Sequence, residues 1–102
     1  MLFRSVTAYS DPRLKENFQK IANPFNILEK IDGGTFDWKH GIEHTAVKAG
    51  KKDYGILADQ VESVMPEIVK DSIDVEGEKY KTVAYDKLIP VLIEAKIGRA
   101  HV

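Results

Sequence analysis

Proline and glycine recur at short intervals along this chain, and they keep every predicted helix and strand short. Asp11-Pro12 is typical of a helix start, and apolar residues at helical spacing follow it, so we predict a helix over 12–21. Asn23-Pro24 ends that pattern. A second short helix is predicted over 25–31, and it ends before Gly33-Gly34.

Alternating apolar residues predict short strands elsewhere in the chain. Phe36 and Trp38 are expected on one face of a strand, and Glu76-Gly77 is expected to form the turn of a hairpin. Residues 40–53 are polar and are predicted to be a loop or hairpin tip, and a helix is predicted over 60–65. The predicted extended segments cover residues 2–9, 35–39, 54–58, 68–75 and 80–85.

The last predicted helix spans 87–96, with Asp86 as its cap and Pro90 in its first turn, where the missing N–H costs little. Its apolar residues share one face at coiled-coil spacing: Leu88, Val91, Leu92 and Ala95. Helices mixed with antiparallel pairs in this order give an α+β fold class.

The composition is that of one domain with a modest core: 102 residues, 43% hydrophobic and 30% charged. A domain of this size has marginal stability, so a partner chain would help it. The net charge of −1 leaves no surplus to neutralise a phosphate backbone, so we expect no nucleic-acid partner. The local cluster of Lys48, Lys51 and Lys52 is interpreted as a solvated loop rather than a binding patch.

The absence of cysteine excludes disulfides, thiolate catalysis and cysteine zinc sites. No apolar run reaches the roughly 18 residues of a membrane span, and residues 1–6 lack the apolar core of a signal peptide. These features predict a soluble protein that is made in the cytoplasm and has no membrane partner.

Residues 97–102, Ile97-Gly98-Arg99-Ala100-His101-Val102, back-translate to a common sequencing-adapter read. We therefore predict that they are a non-native tail and exclude them from fold arguments. A genuine frayed terminus is the alternative.

Ser10 and Lys15 stand on either side of the predicted helix start. Within one helix, side chains five residues apart lie about 140° apart and cannot meet. With Ser10 extended and Lys15 in the first or second turn, the amine can fold back towards the hydroxyl. The pair is then a candidate nucleophile and base, whereas a capping serine beside a surface lysine is the alternative.

A serine–lysine pair has a clear chemical requirement, because the weakly nucleophilic hydroxyl needs a base. A free lysine has a pKa of about 10.4 and is a base only when neutral. Burial or a nearby cation such as Arg13 favours the neutral form, although Arg13 can instead hold a carboxylate in a structural pair. Asp11 and Arg13 are therefore the candidate supporting residues.

Three segments together resemble the chaperone-of-endosialidase family, also called the peptidase S74 domain. They occur in the family's order and cover most of residues 8–96: AYSDPRLKEN at 8–17, YGILADQV at 54–61 with PEIV at 66–69, and VAYDKLIPVLIEA at 83–95. The first is fairly specific, and the three in register are a strong signal.

The resemblance implies a C-terminal intramolecular chaperone of a phage tail spike or fibre, which promotes folding and trimerisation and then releases itself by autoproteolysis. Ser10 would be the nucleophile and Lys15 the general base of a single-turnover serine endopeptidase that cuts next to Ser10. Residues 8–96 would form this domain, and residues 1–7 would be the end of the upstream fibre or a linker. No cofactor or metal is implied.

The implied partners are further copies of the chain in a homotrimer and the upstream fibre segment. The implied locations are the host cytoplasm during virion assembly and the virion tail for the parent protein. Two features depart from the family. Asp59-Gln60 stands where the family usually has glutamine followed by an acidic residue, and the family's trimeric coiled coil after the last helix is truncated here. The truncation lowers the expected stability of the trimer.

Three other residue groups have plainer interpretations. His40 and His44 have a metal-binding spacing, but Gly41 between them favours surface histidines. Acidic residues near the hairpin turn lack calcium-loop spacing and are interpreted as solvated charges: Asp71, Asp74, Glu76 and Glu78. The aromatic residues are interpreted as core or hairpin packing: Phe36, Trp38, Tyr54, Tyr80 and Tyr85.

Two rival functions stay open at this point. One is a non-cleaving trimerisation or interaction cap of a fibre protein, in which Ser10 is only a cap and Lys15 only a surface charge. The other is a regulatory domain that frees a DNA-binding neighbour by the same cut, which an upstream DNA-binding segment would indicate.

Overall fold

The computed structural model describes residues 7–99, with side chains through Lys96. Within that range the α-helices are α1 (Pro24–Leu28), α2 (Ala58–Val64) and α3 (Ile89–Arg99). The strands are β1 (Gly34–Asp37), β2 (Lys52–Gly55), β3 (Val69–Ile73) and β4 (Lys79–Val83). Short 3-10 turns span Pro12–Leu14, Glu43–Lys48, Pro66–Ile68 and Tyr85–Leu88. The predicted α+β class is confirmed.

The strands form two antiparallel pairs. Gly34 lies opposite Gly55 in the β1–β2 pair, and Val69 lies opposite Val83 in the β3–β4 pair. The turn of the second hairpin is held by Asp74, whose carboxylate accepts the backbone N–H groups of Glu76 at 3.0 Å and Glu78 at 2.9 Å. The predicted hairpin is confirmed, and Asp74 stabilises its turn instead of being a free solvated charge.

Position 55, where β2 ends, leaves little room for a side chain. A Cβ there would lie 3.1 Å from both the Phe36 ring and the Tyr85 hydroxyl. The same hydroxyl accepts the backbone N–H of Ile56 at 3.3 Å. Tyr85 therefore ties the end of β2 to the segment that precedes α3.

The core is small. Among the described residues, the buried apolar side chains are Val61 on α2, Ile68 after it, and Val91 and Ala95 on α3. Helix α2 packs against the β3–β4 hairpin, and α3 packs against α1. Lys81 on β4 also bridges to Glu62 on α2 at 3.2 Å, and this contact raises the pKa of the lysine.

The chain exposes much more surface than a compact monomer. Its accessible surface is 9020 Å², about half as much again as the roughly 5,800 Å² expected for this mass. Its radius of gyration is 16.9 Å, against about 13 Å for a compact domain of this length. Much of the exposed surface is apolar, including Leu92 and Ile93 on α3.

The helix predicted over 12–21 is wrong. Only Pro12–Leu14 forms a 3-10 turn, Lys15 is extended, and Asn17 takes a left-handed φ of 55° that stops any helix. Two of the apolar side chains of this segment are largely open to solvent, since Leu14 is 67% and Phe18 is 83% exposed. A short helix forms only when its apolar face is buried, so the periodicity alone was not sufficient.

Other boundaries also differ from expectation. Asp86 lies inside the Tyr85–Leu88 turn and does not cap α3, which begins at Ile89 with Pro90 in its first turn. Residues 7–9 form no strand, and the rest of the strand predicted over 2–9 lies outside the described residues. The predicted loop over 40–53 contains a 3-10 turn and the start of β2.

The C-terminal predictions concern the end of α3. Its backbone stays helical through Arg99, and residues 100–102 lie outside the described residues, so the non-native tail stays a prediction. The coiled coil and the trimer also stay predictions. No helix in residues 7–99 combines the length and apolar character needed to cross a membrane.

Candidate active site

The chain reverses direction between Ser10 and Lys15 through one capped turn. The Asp11 carboxylate accepts the backbone N–H of Arg13 at 2.8 Å, which caps the 3-10 turn at its start. The backbone N–H of Lys15 donates to the Pro12 carbonyl at 3.1 Å, which closes the turn. Pro12 suits this position because its ring fixes φ and its missing N–H leaves no donor unpaired.

This turn brings the two candidate side chains together. The Lys15 Nζ donates a hydrogen bond to the Ser10 Oγ at 2.8 Å. That distance is within the reach required of a general base and its nucleophile. The contact was expected across a helix start, and a single 3-10 turn brings it about instead. The catalytic role of the pair stays a prediction.

Solvent surrounds both members of the pair in the single chain, since Ser10 and Lys15 are exposed. A lysine that serves as a base needs surroundings that exclude water. The geometry of the pair is therefore present in one chain, whereas the dry surroundings that a lysine base needs are not.

Arg13 holds a carboxylate, which is the second of the two roles considered for it. Its guanidinium donates to both carboxylate oxygens of Asp11, at 3.1 and 2.9 Å. These bonds, with the Arg13 backbone N–H, hold the pKa of the Asp11 carboxyl below its usual value. The cap is therefore fully formed above the pKa of an unfolded aspartate, about 3.9, and is lost as pH falls through the lower folded value.

The chaperone of endosialidase family matches this chain over residues 10–70, more than half of its length. The match begins at Ser10 and includes Lys15, so it covers the turn described above. This chain belongs to that family. The third resembling segment, residues 83–95, lies beyond the matched range.

Relatives of this family member are phage fibre proteins. This chain is 36% identical over 91 residues to the long tail fiber protein Gp37 of Enterobacteria phage K3. The aligned region covers 89% of this chain and 7% of that protein. This chain is 30% identical over 86 residues to the protein of the same name from Escherichia phage AR1, covering 84% of this chain and 8% of that protein. The chain thus spans less than a tenth of the length of these curated relatives.

His40 and His44, the two histidines among residues 7–99, have contacts with other side chains or backbone. The His44 ring stacks on the Tyr80 ring at 6.5 Å between centroids. The His40 ring lies against Gly50, where a Cβ would come within 2.9 Å of its Nε2 atom. Within residues 7–99, no cluster of three or more histidine, aspartate or glutamate side chains could hold a metal ion.

A polar link between Gln60 and Asp32 joins distant segments and was not predicted. The Gln60 side chain accepts the backbone N–H of Asp32 and donates to the Asp32 carboxylate, both at 2.9 Å. This link fixes α2 to the segment that leads into β1. The unusual order of Asp59-Gln60 was noted in the sequence, but nothing there indicated a partner 28 residues away.

Sequence reasoning also missed a cleft between the 38–48 segment and the β3–β4 hairpin. It has a volume of about 610 Å³, and three of its lining residues are aromatic: Phe36, Trp38 and Tyr80. These aromatic residues are packed in the hairpins as expected but remain partly open to solvent. Tyr54 was also assigned to packing, and that assignment is wrong, because its side chain is 80% exposed.

Proposed function

We propose that this chain is an intramolecular chaperone domain that assembles a phage tail fibre as a homotrimer and then releases itself by self-cleavage next to Ser10. The observation that carries the cleavage step is the 2.8 Å contact between the Lys15 Nζ and the Ser10 Oγ. The fibre role is supported by family membership and by relatives that are named as long tail fiber proteins. The domain would act in the host cytoplasm during assembly, and its parent would end in the virion tail.

The proposed reaction is acyl transfer to the serine. Neutral Lys15 takes the hydroxyl proton while the Ser10 oxygen attacks the carbonyl carbon of an adjacent peptide bond. Collapse of the tetrahedral intermediate breaks the C–N bond, and the lysine proton passes to the departing nitrogen. Water then hydrolyses the ester, which releases a carboxylate and restores the hydroxyl.

Assembly would control when this reaction occurs. The dyad is exposed in the single chain, whereas a lysine base requires surroundings that exclude water. A neighbouring chain that covers Lys15 would exclude water and favour the neutral amine. Cleavage would therefore follow correct assembly, and the fibre left behind would be kinetically trapped because its chaperone has departed.

The direct test of the base is the replacement of Lys15 by methionine in this chain with a soluble reporter domain fused ahead of Met1. We expect self-cleavage to slow by about 10²–10⁴-fold, because methionine keeps the length of the side chain but cannot accept a proton. The fraction cut is read from denaturing gels over time. Lys30→Met is the matched control, since Lys30 is exposed and lies outside the Ser10–Lys15 turn, and it should cut at the original rate.

If the domain is instead a non-cleaving trimerisation cap, the opposite result is expected for the unaltered fusion. The fusion protein would stay intact on a denaturing gel and would still be a trimer by native mass measurement. If the Lys15→Met fusion and the unaltered fusion are cut at the same rate, Lys15 is not the base, whether or not the protein forms a trimer.

Asp11 is expected to hold the turn that positions the dyad. Asp11→Ala removes both the cap and the Arg13 contacts, so we expect cleavage to slow by on the order of tenfold. Asp11→Asn keeps a capping oxygen and should slow it less. Single-turnover rates of the two variants check this order, and a slower Asn variant would contradict the capping explanation.

A further inference from the structure

We propose that residues 7–20 of one copy, here called the arm, bind in the aromatic cleft of a neighbouring copy. The inference rests on the proposed assembly function, because the occupant is a second copy of this chain. It adds the specific surface and the specific segment that meet. The cleft is the one between the 38–48 segment and the β3–β4 hairpin.

The arm has apolar side chains that its own chain does not cover. Tyr9 is 92% exposed, Leu14 is 67% exposed and Phe18 is 83% exposed. The arm's side-chain hydrogen bonds found in the described chain join arm residues to one another: Ser10 with Lys15, and Asp11 with Arg13. Three large apolar groups on one short segment indicate a surface that becomes buried against a partner.

The cleft has the size and chemistry to receive such side chains. Its volume of about 610 Å³ is within the range of sites that bury a ligand or several side chains. Phe36, Trp38 and Tyr80 supply apolar walls. The charged lining residues carry both signs, and Lys81 among them is already paired with Glu62, so the fit to the arm rests on apolar contact.

The central ring of the cleft is fixed before anything binds. The Trp38 indole N–H donates to the Asp53 carboxylate at 3.1 Å, and the Phe36 ring meets it edge-on at 4.9 Å. The Lys48 Nζ lies 4.5 Å from the indole centroid. The backbone N–H of Tyr54 and the indole N–H keep the pKa of Asp53 low, so the carboxylate stays charged as an acceptor. A preformed aromatic site loses little side-chain entropy on binding.

The exposed area favours a second copy as the occupant. The accessible surface of 9020 Å² exceeds that of a compact chain by far more than the roughly 800 Å² that each partner gives to a standard interface. A closed ring of identical chains offers every arm a cleft and every cleft an arm. Because the arm also carries Ser10 and Lys15, its docking would cover the dyad at the moment of assembly.

Disulfide trapping tests this pairing cleanly, because the chain has no cysteine of its own. The chain carries Ser10→Ala to keep it uncut, together with Gln19→Cys on the arm and Ser72→Cys in the cleft. Mild oxidation is expected to give covalent dimers and trimers on a non-reducing gel. The matched control replaces Ser72→Cys by Ser63→Cys, an exposed serine on α2 outside the cleft, and should cross-link at least about tenfold less.

Each outcome separates the docking from the assembly function. Covalent oligomers that need both cysteines support the inference, and an internal cross-link within one chain overturns it. A trimer by native mass measurement without the cross-link overturns the docking but leaves the assembly function standing. A chain that stays monomeric at every concentration overturns both.

Trp38, the one tryptophan in the sequence, gives a second readout. Its emission is expected to shift to shorter wavelength as concentration rises and the arm covers the ring. Phe18→Ala should move the midpoint to at least about tenfold higher concentration, because truncating a buried aromatic anchor costs this much or more. Val75→Ala, at an exposed position outside the cleft, is the control. If it moves the concentration midpoint as far as Phe18→Ala does, arm docking is contradicted.

Discussion

Replacement of Ser10 by alanine is expected to leave the fusion protein as one uncut chain. In the unaltered fusion, the released domain and the reporter should appear as two fragments. We expect the rate to fall by at least about 10³-fold, because amide bonds are stable in water and no second hydroxyl lies in the hydrogen-bonded pair. Denaturing gels and the mass of each fragment measure the result.

Matched variants separate loss of the nucleophile from loss of the fold. Ser10 is exposed and accepts its side-chain hydrogen bond from Lys15, so removing its oxygen should leave the thermal unfolding midpoint nearly unchanged. Ser63→Ala removes an exposed serine on α2 and should cut at the original rate. Cutting of Ser10→Ala at the same bond would show that another group is the nucleophile.

The local features of the fold were predictable because their causes are local. The β3–β4 hairpin followed from alternating residues around Glu76-Gly77, and the Pro90 position followed from the geometry of a first helical turn. The reach from Lys15 to Ser10 was also local, since it needs only one turn between them. Its exact form, a 3-10 turn, depends on Asp11 capping that the sequence only suggested.

The errors arose where a segment depends on distant contacts. The apolar spacing of Leu14, Phe18 and Ile21 is helical, yet a helix is stable only when that face is buried. Nothing in the described chain covers Phe18, so local preferences such as the left-handed Asn17 decide the backbone. A neighbouring copy could supply the surface that buries these side chains, and this is the reason for placing an intermolecular contact at the arm.

The cleft and the Gln60–Asp32 link could not be found from the sequence for the same reason. Each joins segments that are far apart along the chain, and no motif marks their partners. Aromatic residues on short hairpins fit equally well into a core or a binding surface. Only the partial exposure of Phe36 and Tyr80 distinguishes the two uses.

The second large effect is expected on the stability of the domain, from a substitution in its buried core. Val91 on α3 is 1% exposed, and we expect Val91→Asp to unfold the domain. An unpaired carboxylate in an apolar interior costs several kcal/mol, about as much as the whole stability of a small domain. Circular dichroism should show loss of the cooperative thermal transition. Val75→Asp makes the same change at a 93% exposed position and should retain it.

The same pair of variants tests whether the fold controls the chemistry. Ser10 and Lys15 meet through one local turn whose hydrogen bonds join residues 10–15 to one another, and Val91→Asp changes none of these residues. If dry surroundings from the assembled domain are required, the Val91→Asp fusion should remain uncut while the Val75→Asp fusion cuts normally. Normal cutting by an unfolded Val91→Asp fusion would mean that the turn alone suffices, and control by assembly would then be wrong.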